Sequence, residues 1–336
     1  MDDPGHWEAA ARLAQGAPQP ATVGKLRCGT AGWTDRSLIQ SGRFYPPGKS
    51  SARERLGHYA RHFDLVEVDA TYYALMSVET TRRWVEATPA GFRFDVKAFP
   101  LLTGHPIDVL RLPNDLRAVL EPLAPRGRIY PDRLPGEVAR EIEDRFRASL
   151  APLADAGRLS SVLCQFPPWF TATRGHARAL IRLSEQYEDL PLTVEFRHPS
   201  WLAPERQARV FQLLRDHRLG YVVVDEPDTT SGGVPPVLAV TNERLAVVRF
   251  HGHNRAGWEQ PGATVQQRFD YLYTPDQLGG WVEPLRCLDA EAQEVHAVFN
   301  NCVRDYAVLN AKGLSVLLGG HRSGVLVSSP GHDERE

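Results

Sequence analysis

The chain has 336 residues and a formal net charge of -2 at neutral pH, which argues against a general binder of polyanions. Its 42% hydrophobic and 24% charged residues are typical of a soluble globular protein, and no apolar run approaches the roughly 18 residues of a membrane-spanning helix. The four cysteines lack Cys-x-x-Cys spacing and no secretory leader precedes them. We therefore expect reduced thiols, a cytoplasmic location and no membrane association.

Predicted strands and helices alternate along most of the chain. Eight short runs with a period of two predict strands that begin near Leu26, Leu65, Phe92, Ser160, Leu192, Tyr221, Leu245 and Val295. Helical patterns follow seven of them, over residues 51–62, 78–87, 137–156, 173–187, 204–217, 275–288 and 304–318. The stretch after the sixth strand, residues 226–243, contains Ser-Gly-Gly and Pro-Pro and favours a loop. Residues 1–24 and 321–336 are expected to be disordered.

The strands carry their polar residues on one face. In Val66-Glu67-Val68-Asp69 the valines and the carboxylates take opposite faces, and Val248-Arg249-Phe250-His251 repeats the pattern. Alternating strands and helices predict parallel strands with helices outside, and in a closed barrel the second strand face meets the interior. Charges enclosed there need partners or a purpose. We therefore predict a single (β/α)8 TIM-type barrel with a charged pocket.

The carboxyl ends of barrel strands converge on one mouth, where barrel enzymes bind their substrates. We predict Glu67, Lys97 and Glu195 as the catalytic residues of this mouth, with an ion pair between Glu67 and Lys97 on adjacent strands. The residues predicted to bind substrate are Asp69, Tyr72, Gln165, Arg197, Asp225, Arg249, His251 and Asn300. The alternative is that these charges neutralise one another as a buried structural network.

Several chemistries fit these residue types. Glu67 and Glu195 suit a general acid and base, and Lys97 suits a Schiff base only if its charge were suppressed. Arginine and lysine at the mouth suit a phosphate or carboxylate, and aromatic residues such as Trp258 could stack on a sugar or base. The cluster of carboxylates with His251 has the ligand types of a hard-metal site, but its cationic neighbours would repel a metal ion. We expect neither a bound metal nor a cofactor.

Two long segments follow the third and seventh strands. The first, residues 99–135, is rich in proline, and the second, residues 252–274, contains Trp258, Phe269 and two tyrosines. Loops at these positions lie on the carboxyl-terminal rim of a barrel, so both segments are expected to cover the mouth.

Motifs between residues 26 and 318 resemble the YecE-like family (domain of unknown function 72). They include Cys28-Gly29-Thr30-Ala31-Gly32-Trp33, Val66-Glu67-Val68-Asp69-Ala70-Thr71-Tyr72-Tyr73, Glu195-Phe196-Arg197-His198, Arg249-Phe250-His251-Gly252 and Phe299-Asn300-Asn301. The resemblance implies a TIM-type barrel over residues 25–320 and supplies no reaction. The chain departs from the family pattern at Asp69, where Asn is expected, and at His253, where Arg is expected. A ligand that is sensitive to charge would therefore differ here.

These observations lead us to expect an enzyme that uses hydrolytic or isomerising acid/base chemistry. Its substrate would be a small polar or anionic molecule, sugar-like or phosphorylated. One competing interpretation is a metal-dependent phosphoesterase or isomerase that uses the carboxylates as ligands. The other is a non-catalytic barrel that binds a nucleic acid or a partner protein through residues 253–274.

Overall fold

The structure, a computed structural model, describes residues 4–229 and 233–320. Eight parallel strands form a closed barrel. They are β1 (Leu26–Ala31), β2 (Leu65–Val68), β3 (Arg93–Lys97), β4 (Leu159–Gln165), β5 (Leu192–Glu195), β6 (Gly220–Asp225), β7 (Ala246–Phe250) and β8 (Val295–Phe299). Each strand pairs with the next, and β8 pairs with β1 from Val295 opposite Leu26 to Phe299 opposite Thr30. The predicted TIM barrel is therefore confirmed.

Helices surround the barrel. They are α1 (Pro4–Ala14), α2 (Arg36–Ser41), α3 (Ala52–Tyr59), α4 (Ala70–Tyr73), α5 (Val78–Glu86), α6 (Pro100–Thr103), α7 (Asn114–Leu120), α8 (Gly136–Asp155), α9 (Arg174–Gln186), α10 (Pro204–Asp216), α11 (Arg255–Glu259), α12 (Val265–Arg268), α13 (Pro275–Gly280), α14 (Val282–Glu291) and α15 (Tyr306–Gly320). A two-residue strand, Thr22–Val23, pairs antiparallel with β1, and Ile107–Asp108 pairs with Arg128–Ile129. Within the described residues, no helix is both long and apolar enough to cross a bilayer.

Local side chains set several helix ends. Ser51 accepts a hydrogen bond from the Glu54 backbone, and the Glu54 side chain accepts one from the Ser51 backbone, which forms a capping box before α3. Thr173 caps α9 in a similar way through the backbone N–H of His176. Residues 226–229 and 233–243 contain no helix, in agreement with the loop predicted after the sixth strand.

Side chains inside the barrel form layers along its axis. Arg27, Arg93 and His296 lie toward the amino-terminal end of the strands, Asp95 lies in the middle of β3, and Glu67, Glu195 and Arg249 lie near the carboxyl-terminal end. Apolar side chains, among them Leu163, Val222, Val247 and Val298, fill much of the space between these groups, and Glu67 lies opposite Asp95 on the neighbouring strand. The opposite face of each strand packs against the helices, as Val66 and Val68 do. We call the apolar group the middle layer.

The N-terminal residues differ from the expectation of disorder, which is wrong for residues 4–14. This segment forms α1 and packs against α15, with Ala10 and Ala14 buried. The indole Nε1 of Trp7 donates to the Asp305 carboxylate at 3.2 Å, and the Arg43 guanidinium lies 4.4 Å from the Trp7 ring centroid. Tertiary packing thus stabilises a helix whose own sequence signal is weak. The tail predicted over residues 321–336 lies outside the described residues.

Candidate active site at the barrel mouth

The charged residues of β2, β5 and β7 meet inside the barrel. Arg249 donates from Nε to Glu67 Oε2 at 2.8 Å and from Nη2 to Glu67 Oε1 at 2.5 Å. Its Nη1 donates to Glu195 Oε2. All three side chains are at most 1% exposed. One guanidinium therefore holds carboxylates from two different strands, using the planar donor geometry that distinguishes arginine from lysine.

Further hydrogen bonds extend this buried layer toward the mouth. Glu195 Oε1 lies 3.1 Å from Arg197 Nη1 and 3.3 Å from His251 Nε2. His251 Nδ1 in turn lies 3.0 Å from the Asn300 amide nitrogen. The neutral tautomer with its hydrogen on Nε2 satisfies both histidine contacts. Burial lowers the pKa of His251 to about 4, which favours this neutral form.

The pKa values of the two buried carboxylates are shifted in opposite directions. Burial raises the pKa of Glu67, and the nearby Asp69 adds to this effect, although Arg249 opposes it. For Glu195, the effect of burial is outweighed by Arg249, His251 and Arg197, which hold its pKa well below the usual range. Carboxylates whose environments separate their pKa values in this way are typical of acid/base sites.

The predicted ion pair between Glu67 and Lys97 is wrong. Lys97 Nζ lies 3.6 Å from Asp69 Oδ1 and 4.8 Å from the centroid of the Tyr72 ring, whereas Glu67 is bound by Arg249. The register explains the difference, because Glu67 lies opposite Asp95 and Lys97 is two residues further along β3. Lys97 is therefore level with Asp69, closer to solvent than Glu67.

Asp225 serves to anchor the segment 253–274. Its Oδ2 accepts from the Tyr273 hydroxyl at 2.6 Å and contacts His253 Nε2 at 3.0 Å. The hydrogen bond to Asp225 raises the pKa of His253. Tyr273 also accepts from the Gly252 backbone N–H at 2.8 Å. Asp225, predicted to bind substrate, is thus buried, and its Oδ2 atom binds two side chains of the segment 253–274.

Two residues of the site, Glu226 and Tyr273, are not among those predicted from the sequence. Glu226 lies 2.7 Å from Arg197 Nη1 and is buried, although it follows β6 in a stretch whose composition favours a loop. Tyr273 reaches Asp225 across 48 residues of sequence. A polar residue directly after a strand end is a usable signal for Glu226, whereas nothing local indicates the role of Tyr273.

Two cavities, as far as the described residues show, open at this end of the barrel. The first, the Trp33 cavity, has a volume of about 500 Å³ and is lined by Trp33, Asp69, Phe269 and Asn300 among others. The second, the Trp169 cavity, has a volume of about 320 Å³; its lining includes Tyr72, His105, Arg111, Arg128 and Trp169. They share Tyr73. Lys97 is not among the residues that line either cavity, but it contacts Asp69 of the first and Tyr72 of the second.

The two long segments reach this end of the barrel, as predicted. Val265 and Phe269 line the Trp33 cavity, and the Arg197 guanidinium lies 4.9 Å from the Trp258 ring centroid. Residues of the segment 99–135 contribute most of the Trp169 cavity. Trp201, by contrast, is buried among the aromatic rings of Phe196 and Phe170 and packs in the core.

Gln165, predicted to bind substrate, is half-buried, and its side chain has no hydrogen-bond partner among the residues described.

The buried carboxylates fit a polar site better than a metal site. Across residues 4–229 and 233–320, no group of three or more His, Cys, Asp or Glu side chains is placed to hold a metal ion. The Arg249 guanidinium binds both Glu67 and Glu195, where a metal interpretation needs these carboxylates as ligands.

This fold and its charged mouth define a TIM-barrel protein with a polar pocket at the carboxyl ends of the strands. The family model described as "Protein of unknown function DUF72" matches residues 27–334, and the chain belongs to this family. The resemblance inferred from the sequence motifs is thereby confirmed.

Relatives and solved structures agree with this assignment. The chain is 33% identical over 300 residues to the UPF0759 protein YunF of Bacillus subtilis (strain 168). These residues are 88% of this chain and 96% of YunF. It is 43% identical to the UPF0759 protein YecE of Escherichia coli (strain K12) over 84 residues, or 24% of this chain and 30% of YecE.

Among solved structures, a DUF72 family protein (EF0366) of Enterococcus faecalis V583 superposes with a TM-score of 0.72 and 27% identity, covering 88% of this chain and 95% of that one. A DUF72 family protein (TM1631) of Thermotoga maritima MSB8 gives a TM-score of 0.67 and 29% identity over 88% of this chain and 99% of its own.

Proposed function

We propose that this protein is an enzyme that uses acid/base chemistry on a small, polar, anionic substrate at the barrel mouth. One observation carries the proposal: Asp69 lines one cavity and is paired with the partly exposed Lys97, which also contacts Tyr72 of the other cavity, and a buried layer of hydrogen-bonded charges lies beneath them. Replacing buried ion pairs by apolar residues is often neutral or stabilising. A charged layer placed beneath an open mouth therefore favours a functional purpose over a purely structural one.

The charge and shape of the mouth support a sugar-like substrate that carries a phosphate or carboxylate. Lys97 and Arg197 place positive charge at the mouth, where their side chains are 13% and 11% exposed. Both groups bind anions well, and arginine does so with two parallel donors. The aromatic walls of the Trp33 and Trp169 cavities suit the apolar faces of a ring.

We assign different roles to the charges in the two layers. Lys97 binds the anionic group of the substrate, and Asp69, which is 29% exposed, exchanges a proton with the reacting atom. Glu67 and Glu195, the buried carboxylates predicted as catalytic, act in this proposal as positioning residues. Through Arg249 they hold the ends of β2, β5 and β7 and set the electrostatic field at Lys97 and Asp69.

A ligand screen tests the proposal. Thermal unfolding is measured with sugar phosphates, sugar acids and the corresponding neutral sugars, because a ligand that binds the folded state raises its midpoint. We expect an anionic sugar to raise the midpoint and its neutral counterpart to have less effect. Lys97→Met should weaken this ligand by about tenfold or more, since it removes a charge-assisted hydrogen bond. Lys49→Met, the same exchange at a half-buried loop position that has neither the ion pair with Asp69 nor the contact with the Tyr72 ring, is the control.

The chemical step is tested with the ligand that the screen identifies. Its conversion is followed by proton NMR, and Asp69→Asn should lower the rate by about a hundredfold or more through loss of the acid/base group while binding is retained. Equal affinity in Lys97→Met and Lys49→Met contradicts the proposed mouth. Unchanged ligand after long incubation, or binding of oligonucleotides with steep salt dependence, favours a binding protein instead.

A further inference from the structure

A further cavity lies at the amino-terminal end of the barrel, away from the mouth. Its volume is about 440 Å³, and it is lined by residues at or just before the starts of β1, β3, β4, β7 and β8. The apolar side chains of the middle layer fill much of the space between this cavity and the mouth, which lies at the opposite end of the strands. A ligand bound here would therefore occupy a site separate from the proposed active site.

The charges around this cavity are unevenly distributed. Among its described lining residues, Lys25, Arg27, Arg93 and Arg244 are basic and Glu294 is acidic. Arg27 forms ion pairs with Glu294 and with Asp64. Arg93 Nε lies 3.4 Å from the same Glu294 carboxylate, which therefore serves two arginines.

A buried histidine adds a third cation to this network. His296 is fully buried, with Nδ1 2.8 Å from Asp95 and Nε2 3.5 Å from Glu294. Although burial disfavours its charge, the two carboxylates raise the pKa of His296 to about 9. The network therefore contains three negative and three positive charges. The negative charges belong to Asp64, Asp95 and Glu294, and the positive charges belong to Arg27, Arg93 and His296.

Two cations remain beyond this balance. Lys25 Nζ donates to the backbone carbonyls of Asp289 at 2.8 Å and Ala292 at 2.9 Å, and Arg244 is exposed. Within the part of the chain that the structure describes, neither has a carboxylate within 4 Å. Ser160 and Gln293 also line the cavity, and both side chains contain hydrogen-bond donors.

We propose that this cavity binds a divalent oxyanion, either phosphate or a phosphate monoester. Two positive charges that have no carboxylate partner among the described residues match a dianion, and arginine and lysine donors suit phosphate oxygens. The volume exceeds that of inorganic phosphate, so a small ester also fits. Catalysis in TIM barrels takes place at the opposite end. The anion therefore acts as a stabilising or regulatory ligand of the folded barrel.

Calorimetric titration with inorganic phosphate and with glycerol 3-phosphate, at constant ionic strength, tests the proposal on the full chain. We expect saturable binding of at least one of them with one site per chain. Arg244→Gln should weaken it by about tenfold, because a charge-assisted hydrogen bond is lost. Arg244 is exposed and unpaired among the described residues, so this variant should fold normally. Arg209→Gln, at an exposed position on α10, removes the same charge elsewhere.

Lys97→Met distinguishes this cavity from the mouth and should leave phosphate affinity unchanged. Absence of saturable binding overturns the proposal. So does equal weakening by Arg244→Gln and Arg209→Gln, which indicates binding through overall charge. Binding that is lost in Lys97→Met and kept in Arg244→Gln places the anion at the mouth and equally refutes this site.

Discussion

Arg249 is a charged side chain enclosed inside the barrel. Its guanidinium is fully buried and donates to Glu67 and Glu195, so it offsets the cost of removing both carboxylates from water. The mutual attraction is strong enough to raise the pKa of Arg249 above its ordinary value in spite of burial. Its removal would leave Glu67 without its cation and Glu195 with Arg197 as its remaining arginine partner.

Arg249→Met should therefore destabilise the protein by about 3 to 5 kcal/mol, the cost of breaking a buried pair. Urea unfolding measures this effect. The triple variant Arg249→Met, Glu67→Gln and Glu195→Gln removes the uncompensated charges and should recover a substantial part of the loss. If the triple variant is as unstable as Arg249→Met, packing around the arginine stem, and not charge, accounts for the effect.

Lys97 provides a contrast at the same scale. Its side chain is partly exposed and its ion pair with Asp69 is long, at 3.6 Å. Pairs of this kind contribute about 0 to 1 kcal/mol. Lys97→Met should thus change the urea unfolding free energy by no more than this amount while ligand affinity falls. A large loss of stability with unchanged affinity would assign Lys97 a structural role.

At the scale of elements, the segment 253–274 depends on how the chain leaves β7. Gly252 has a φ of 85°, and a Cβ at this position would lie 2.5 Å from the Tyr271 Cβ. Glycine is thus required both for backbone conformation and for close approach. The hydrogen bond from Gly252 to Tyr273 and the bond from Tyr273 to Asp225 then fix the segment over the mouth.

Gly252→Ala should cost about 1 to 3 kcal/mol in urea unfolding and should weaken the mouth ligand, because Tyr271 must move. Gly262→Ala is the matched control. Gly262 has a φ of 75°, but a Cβ added there would have no neighbouring atom within 4 Å, so this variant tests the backbone strain alone. Equal effects of the two substitutions on affinity would show that displacement of Tyr271 does not disturb the mouth.

Helix α1 depends on a single aromatic anchor. Trp7 joins it to Asp305 and Arg43, so Trp7→Ala should lower the free energy of unfolding by about 1 to 3 kcal/mol. Limited proteolysis should also cut residues 4–14 faster in this variant. Glu8→Ala, at the neighbouring exposed position, should have little effect. Identical cleavage rates in the two variants would contradict the anchoring role of Trp7.

At the scale of the whole molecule, the barrel and the inward direction of its charges could be predicted because strand parity is a local property. The alternation in Val66-Glu67-Val68-Asp69 determines which side chains face inward. The pairing of those charges could not be predicted in the same way. It depends on depth along the barrel and on partners such as Glu67 and Arg249, which are 182 residues apart.

The helix over residues 4–14 could not be predicted from its weak sequence pattern. It forms through contacts with α15 and Asp305, which are made by the other end of the chain. Intrinsic propensity alone does not reveal such contacts. The role of Asp225 could not be predicted for a related reason, since Tyr273 and His253 come from a long loop without periodicity.

The histidines at the two ends of the barrel predict how stability varies with pH. Burial lowers the pKa of His251 to about 4 from 6.5, so its contribution is present above pH 6.5 and lost as pH falls through 4. The pKa of His296, despite burial, is raised by Asp95 and Glu294 to about 9, so its contribution is present below pH 6.5 and lost as pH rises through 9.

Urea unfolding between pH 4 and 9.5 should accordingly show greatest stability near neutral pH. His296→Gln should flatten the alkaline side, and His251→Asn should flatten the acidic side, where His62 and His105 act in the same direction and Glu67, whose pKa is raised to about 8, acts in the opposite direction. An unchanged alkaline slope in His296→Gln would mean that this histidine does not carry its charge in the folded state.

The middle layer has a consequence for how this barrel can change. Its apolar side chains fill much of the space between the two charged ends, where Glu67 and Asp95 lie opposite each other on neighbouring strands. Substitutions at the two openings that share no partner and lie more than about 10 Å apart should therefore combine additively. New chemistry could be introduced at one opening of such a barrel, by selection or by design, while the opposite opening keeps its own ligand.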